Sequence, residues 1–348
     1  MLDSNFNIIK IFVLTTVSFV VTVLWTPLLT HYLYKYKLGK QIRNEEGTPI
    51  YAKIHAAKSG TPTMGGLLIW LTTLFLIFFF WFLSRITNIE FIDKLNFLSR
   101  PQTFLPLVSL VAAAFIGLID DIIDVKSKNG RGGMRVRERL VIFTIIAAVG
   151  ALWFYFKLDW TTIHIPFVGN FDIGAWYIPI FIFIIVSTAF SVNEADGLDG
   201  LAGGILLASF VAFGAIALSQ GRVELASFCG VIAGALFAFL WFNIPPARFF
   251  MGDTGSMSLG VTLGIVAMLT NTALLLPIIS FLLVVESLSV ILQILSKKIR
   301  KKKIFLSAPI HHHLEAIGWP EGKIVMRFWI ISAVTAVIGI VLYLVDKA

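Results

Sequence analysis

Long apolar runs recur from one end of this chain to the other. A membrane span needs about 20 predominantly apolar residues. Stretches of that kind fall near 9–34, 67–83, 104–124, 139–156, 175–192, 200–218, 224–242, 256–270, 273–296 and 323–345. Across 348 residues, 57% are hydrophobic and only 14% charged, with a mean hydropathy of +0.88. A soluble domain carries roughly 25% charged residues. The expectation is therefore an all-α membrane protein, a single integral-membrane domain over residues 1–348 built as a bundle of about ten transmembrane helices. The first run lacks the basic region and small-residue cleavage site of a signal peptide and reads as a retained helix. Alternation around Gly169-Asn170, between two runs, predicts a short β-hairpin. The lone Cys229 excludes an internal disulfide.

Lysine and arginine set the orientation. One set of loops holds Lys35, Lys37, Lys40, Arg43, Lys53 and Lys58, then Lys126, Lys128, Arg131, Arg135, Arg137 and Arg139. The same side carries Arg248, the run Lys297 to Lys303, and Lys323. The alternate loops hold only Arg85, Lys94, Arg100, Lys157 and Arg222, with Lys10 and Lys347 near the termini. The rich side is expected in the cytoplasm and both termini outside. The net charge of +8 is thus an orientation signal, not a nucleic-acid footprint.

Every suspicious polar cluster falls on that cytoplasmic side. Asp120 and Asp121 end an apolar run, where a carboxylate costs roughly 2.5–3.5 kcal/mol even on a lenient insertion scale. Asp124 follows Asp120 by one turn, on the same face. The stretch Asn193-Glu-Ala-Asp-Gly-Leu-Asp-Gly-Leu201 joins two runs, and Phe249-Phe-Met-Gly-Asp-Thr-Gly-Ser256 follows Pro245-Pro246. Asn193 and Asp196 have the chemistry to bind a base or sugar, and Phe250 or Phe249 to stack on one. Asp253 sits among glycines that keep its carboxylate accessible. Lys58 with Ser59-Gly-Thr-Pro-Thr-Met-Gly-Gly66 suits a phosphate, although the order of a P-loop is absent. In Ala308-Pro-Ile-His-His-His-Leu-Glu315, consecutive histidines point in different directions on a helix, so phosphate contact fits better than one shared metal. Each cluster also has a bland reading: solvated helix ends, a polar turn with a cap at Asp199, an aromatic belt, a surface histidine run. Their recurrence on a single face favours metal-assisted chemistry on a phosphate-bearing lipid. A transporter would place its ionisable groups near mid-membrane between repeated halves, and no repeat is visible here. Gly230/Gly234 and Gly260/Gly264 have the spacing of close helix packing.

Taken together, Gly60-Thr-Pro-Thr-Met-Gly-Gly66, Asp120-Asp121, Asn193-x-x-Asp-Gly-Leu-Asp-Gly-Leu201, Phe250-Met-Gly-Asp-Thr-Gly255 and Pro309-Ile-His-His-His313 resemble the phospho-N-acetylmuramoyl-pentapeptide transferase family. The resemblance covers essentially the whole chain. It implies a ten-helix, Mg²⁺-dependent and usually homodimeric enzyme of the bacterial inner membrane, with a cytoplasmic cleft. Its reaction would carry phospho-MurNAc-pentapeptide from UDP-MurNAc-pentapeptide to undecaprenyl phosphate, giving the first lipid-linked peptidoglycan precursor and UMP. By the same resemblance Asp120, Asp121, Asp253 and His311 are catalytic, with Asp253 the metal ligand. Lys58, Thr63, Asn193, Asp196, Asn243, Phe250, Gln293, His311 and His312 bind substrate. A sister branch, transferring N-acetylglucosamine-1-phosphate, is the nearest alternative, and the histidine motif argues against it. The chain departs from the family where Asp124 replaces a usual lysine, where Arg135, Arg137 and Arg139 stand for common lysines, and where Glu194-Ala195 replaces Leu-Thr. Asp124 is expected near a cation, either Lys126, Lys128 or the metal.

Overall fold

The structure is a computed structural model describing residues 2–39, 55, 58–127 and 133–348. Lys40, Arg43, Lys53, Lys128 and Arg131 of the basic loops lie outside the described residues. The apolar runs form helices α1 (Leu2–Lys35), α2 (Leu67–Ile86), α3 (Glu90–Leu95), α4 (Phe104–Lys126), α5 (Val136–Lys157), α6 (Tyr177–Ala195), α7 (Leu201–Ser219), α8 (Val223–Asn243) and α9 (Gly252–Leu269). They continue as α10 (Leu276–Ile279), α11 (Phe281–Ile299), α12 (Ile310–Ala316) and α13 (Glu321–Lys347). Among the described residues nine helices are long and apolar enough to cross a membrane, and a bent pair supplies a tenth. Backbone groups in hydrocarbon must be paired within the segment, so such runs become helices.

α9 is the axis of the bundle. Of its central stretch 94% is buried, against 22% for α1. One continuous apolar cluster runs from Leu14 to Tyr343. Both small-residue pairs lie at helix contacts. A Cβ on Gly234 of α8 would stand 2.2 Å from the Thr15 carbonyl oxygen of α1, and one on Gly260 of α9 would stand 2.7 Å from Ala189 Cα of α6. Several helix hydroxyls donate to the carbonyl one turn earlier, as Thr22 does to Ser18 (2.7 Å) and Thr26 to Thr22 (2.6 Å), which pairs those donors within the helix.

Two local expectations change. The run at 273–296 is not one helix but breaks at Ser280, where the two halves meet at 84°. Ser280 Oγ pairs instead with Ser209 Oγ of α7 at 2.8 Å. The second half, α11, buries Glu286, Ser287, Gln293 and Ser296 and exposes Leu288, Ile291, Leu292 and Leu295. Asp253 lies in the first turn of α9, not in a preceding loop, because α9 begins at Gly252. The histidine run, outside all of the expected spans, forms the short helix α12. The expected hairpin is present, with β1 (Thr162–Ile165) antiparallel to β2 (Gly169–Asp172) and His164 opposite Asn170.

Candidate active site

The carboxylate cluster forms where the C-terminal end of α4 meets the N-terminus of α9. Asp121 Oδ1 and Oδ2 accept the backbone N–H groups of Asp253 (3.1 Å) and Thr254 (3.0 Å), and Thr63 Oγ1 donates to Oδ1 at 3.1 Å. Asp121 therefore caps α9 from another helix: its charge meets the positive end of that helix and its oxygens take donors left over at the start. Gly252 makes this approach possible. Its φ is +74°, and a Cβ there would stand 2.6 Å from Thr63 Oγ1 and 2.7 Å from Asp121 Oδ2. The glycine beside Asp253 is thus a condition for the carboxylates to meet.

Asp120, fully buried, turns toward α5. Its Oδ1 accepts the Met134 N–H, and its Oδ2 lies 2.8 Å from Arg139 Nη2. That contact is an ion pair without hydrogen-bond geometry, so Asp120 Oδ2 is a buried carboxylate oxygen with no donor aligned on it among the described residues. The same Arg139 Nη2 donates to Asp253 Oδ2 at 2.8 Å, while Nη1 donates to Asn193 Oδ1 at 2.9 Å. Asn193 Nδ2 closes the ring by donating to Asp253 Oδ1 (2.6 Å) and Ser256 Oγ (3.0 Å). Asp120, Asp121, Asp253, Asn193 and Thr63 are thus brought together. Arg139 and Ser256 complete the set.

A second group lies alongside. Lys58 Nζ donates to Asp199 Oδ1 at 2.7 Å and to Glu321 Oε1, and lies 6.0 Å from the centre of the half-buried Phe250 ring. Burial alone would lower the Lys58 ammonium pKa; the two carboxylate partners outweigh it and raise it. Asp199 is this lysine's partner and also accepts the Ala247 N–H (3.1 Å), while Gly200 takes the cap position of α7. Asp196 is half-buried at the C-cap of α6. Asn243 spends its amide on the framework, accepting from Gly200 N (2.8 Å) and donating to the Phe249 carbonyl (2.7 Å). Gln293 does likewise, holding Ile304 N, Phe305 N and the Phe305 carbonyl.

The three histidines point three ways. His311 Nδ1 pairs with Glu286 Oε2 at 2.9 Å, both side chains fully buried, and its Nε2 has no hydrogen-bond partner among the described residues. A Cβ on Gly197 would stand 2.3 Å from that Nε2, so the Asn193–Leu201 turn presses on His311. His312 Nδ1 lies 2.7 Å from Glu315 Oε2, which also meets His55 Nε2 at 3.1 Å. Burial, then His311, pushes the His312 pKa down to about 4. Burial favours the neutral Glu315 carboxyl, but its bonds to His312 and His55 prevail and hold it down to about 2. The ligand atoms of His55, His312 and Glu315 all lie within 4.8 Å of one another. Both histidines contact Glu315 at hydrogen-bond distances, so pairing accounts for the group. His313 Nδ1 accepts from Leu306 N at 3.3 Å.

Glu286 was missed in the sequence, although it carries the signal that singled out Asp120: an acid inside an otherwise apolar run. Arg139 had no distinguishing signal among its neighbouring arginines. Asp124 is half-buried and forms no ion pair with Lys126 among the described residues; Lys128 lies outside them.

Residues 103–271 match the family model of glycosyl transferase family 4, and residues 58–69 match phospho-N-acetylmuramoyl-pentapeptide-transferase signature 1. The chain is 38% identical over 326 residues to the phospho-N-acetylmuramoyl-pentapeptide-transferase of Clostridium perfringens (strain SM101 / Type A), covering 93% of this chain and 94% of the relative. The chain belongs to this family. The phospho-N-acetylmuramoyl-pentapeptide transferase of Bacillus pumilus (strain SAFR-032) is 39% identical over 324 residues, covering 93% and 94%. That of Chloroflexus aggregans is 38% identical over 346 residues, covering 95% and 89%. The chain is thus a multi-pass membrane transferase, and the segment that matches the signature contains Lys58, which pairs with Asp199, and Thr63, which donates to Asp121.

Proposed function

We propose that this enzyme transfers phospho-N-acetylmuramoyl-pentapeptide from its UDP carrier to undecaprenyl phosphate, releasing UMP and forming the first lipid-linked peptidoglycan precursor. The reading takes residues 1–348 as one domain, acting as a homodimer in the bacterial inner membrane. The site faces the cytoplasm and both termini lie outside. The observation that carries it is the convergence of Asp120, Asp121 and Asp253 beside Lys58, Phe250 and the Asn193–Leu201 turn.

Both substrates are anionic, and the donor is a diphosphate. The donor set suits Mg²⁺: hard carboxylate oxygens from two helices, one of them buried without an aligned hydrogen-bond donor. Asp253 and Asp120 would hold the ion, which supplies charge neutralisation to the diphosphate and the departing UMP. Asp121 keeps α9 in register so that Asp253 points at the cluster. Asp120 orients the acceptor phosphate or takes its proton. Phosphate monoesters have a second pKa of about 6, so the acceptor is already largely ionised near neutral pH and attacks directly. Asn193, Asp196 and Phe250 hold the uridine, and Lys58 and Thr63 line the donor side. Asn243 and Gln293 keep the walls of the site in place. His311 and His312 meet phosphate oxygens. Positioning and charge stabilisation supply most of the rate in such transfers.

The test is UMP release by the purified protein. Release should require UDP-MurNAc-pentapeptide, a polyprenyl phosphate and Mg²⁺ together. Release from UDP-N-acetylglucosamine in its place, with none from the muramoyl donor, would move the chain to the sister reaction. Trapping an aspartyl-phosphosugar adduct without acceptor would overturn direct attack.

A further inference from the structure

The carboxylates of Asp120 and Asp253 share one protein cation. Arg139 Nη2 lies 2.8 Å from Asp120 Oδ2 and 2.8 Å from Asp253 Oδ2. The side chains are 0% exposed for Asp120, 14% for Asp253 and 16% for Arg139, so water screens the trio poorly. Two carboxylates facing each other under those conditions repel strongly unless a cation stands between them. We propose that Arg139 is the site's resident counter-ion, and that it competes with the divalent cation for Asp120 and Asp253, leaving them when the metal binds. The proposal rests on the reading of Asp253 as a metal ligand.

The hydrogen-bond pattern shows why Arg139 is an exchangeable occupant. Nη2 satisfies Asp253 and leaves Asp120 Oδ2 without an aligned N–H among the described residues. A guanidinium presents its donors along fixed directions in one plane, whereas a metal ion serves oxygens from any direction. Arg139 Nε is itself buried without a partner among the described residues, so the guanidinium is only partly engaged by them. Its firm contacts are Asp253 Oδ2 and Asn193 Oδ1. A fork released from Asp253 while still joined to Asn193 stays beside the cluster and can receive a phosphate oxygen by bidentate contact. A lysine here would present a single ammonium and could not span Asn193 and Asp253 by two separate arms. The opposite possibility is a fixed scaffold, in which Arg139 holds the carboxylates in the geometry a metal needs. The two differ in sign.

Binding of Mn²⁺ to the purified full-length protein without substrate, followed by the spin-resonance signal of free ion, separates them. Exchange predicts tighter binding in Arg139→Gln, by about tenfold or more, the scale expected when a unit charge leaves a poorly screened site. Arg139→Lys should fall between Arg139→Gln and wild type. Unchanged or weaker binding in Arg139→Gln, with measurable wild-type binding, overturns the exchange and leaves the metal reading standing. No binding in either protein overturns both. Wild-type protein supplies a second readout should Arg139→Gln fail to fold. Phenylglyoxal modification of Arg139, located by peptide mass spectrometry, should accelerate severalfold when Mg²⁺ is added. An equal or slower rate with Mg²⁺ overturns the proposal.

Discussion

The two ends of the bundle treat their carboxylates differently. At the hairpin end, Asp346 near the close of α13 is saturated: Oδ1 accepts Phe167 N and Oδ2 meets His164 Nε2, both at 2.5 Å. His164 also binds Asn170 through Nδ1 (2.8 Å) and Asn271 through its N–H (3.1 Å), beside a polar cavity of about 330 Å³. At the other end Asp120 Oδ2, Glu286 Oε1 and His311 Nε2 are buried without hydrogen-bond partners among the described residues. A buried polar atom left unpaired costs about 1–3 kcal/mol. The hairpin end uses its carboxylate to pin two segments together. Among the described residues the buried carboxylate oxygens left unpaired, on Asp120 and Glu286, are at the opposite end, which is what a site needs if its partners are to come from substrate and metal.

The largest expected break in this contrast is Asp253→Asn. It should abolish UMP release with the protein still folded, as judged by its elution as a monodisperse detergent complex; near-normal turnover at saturating Mg²⁺ would remove Asp253 from the metal. Glu286→Gln comes next. A hydrogen bond to a charged group is worth about 1.5–3 kcal/mol, so loss of the carboxylate behind His311 should lower kcat/KM by about tenfold to a hundredfold. An unchanged pH–rate profile would mean that the pair is only structural. Phe250→Ala should weaken uridine-nucleotide binding by about tenfold or more, since base stacking on an aromatic ring contributes roughly 1–3 kcal/mol. Direct titration gives the answer, and unchanged affinity would exclude the ring from the nucleotide.

Smaller effects sharpen the comparison. His312 titrates near 4 when folded, below its ordinary 6.5, so between those values the unfolded chain binds a proton that the folded one does not. Glu315 is held near 2, below its ordinary 4.5, so its contribution is present above 4.5 and lost as pH falls toward 2. The thermal midpoint should therefore drop as pH falls from 6.5 to 4, and the drop should flatten in His312→Gln. At the hairpin end, Asp346→Asn should lower the thermal midpoint while leaving kcat and KM unchanged; lost turnover at full folding would refute the division between the ends. Asp124→Lys should retain activity, because the half-buried Asp124 forms no ion pair among the described residues.

Much of this was legible before any coordinates. Apolar runs report helices directly because a lipid environment leaves the backbone few alternatives, and the placing of acids at run ends drew attention to Asp120, Asp121 and Asp253. The break at Ser280 was illegible: residues 273–296 are apolar enough to span without interruption, and a hydroxyl contact with Ser209 accompanies the turn. Asn243 and Gln293 carried polar groups of the right type, but only the fold reveals that both amides are engaged by backbone.

Local chemistry sufficed for the sequence to determine the membrane class, the helix order, the sidedness of charge and the family. Run length, charge bias and short motifs are properties of neighbouring residues. Partners at long separation were decided by the tertiary structure alone. Asp121 reaches 132 positions to cap α9, and Lys58 reaches 263 to Glu321. Whether a carboxylate is saturated, as in Asp346, or left with capacity, as in Asp120, depends on which donors packing brings within about 3 Å, and no local pattern encodes that.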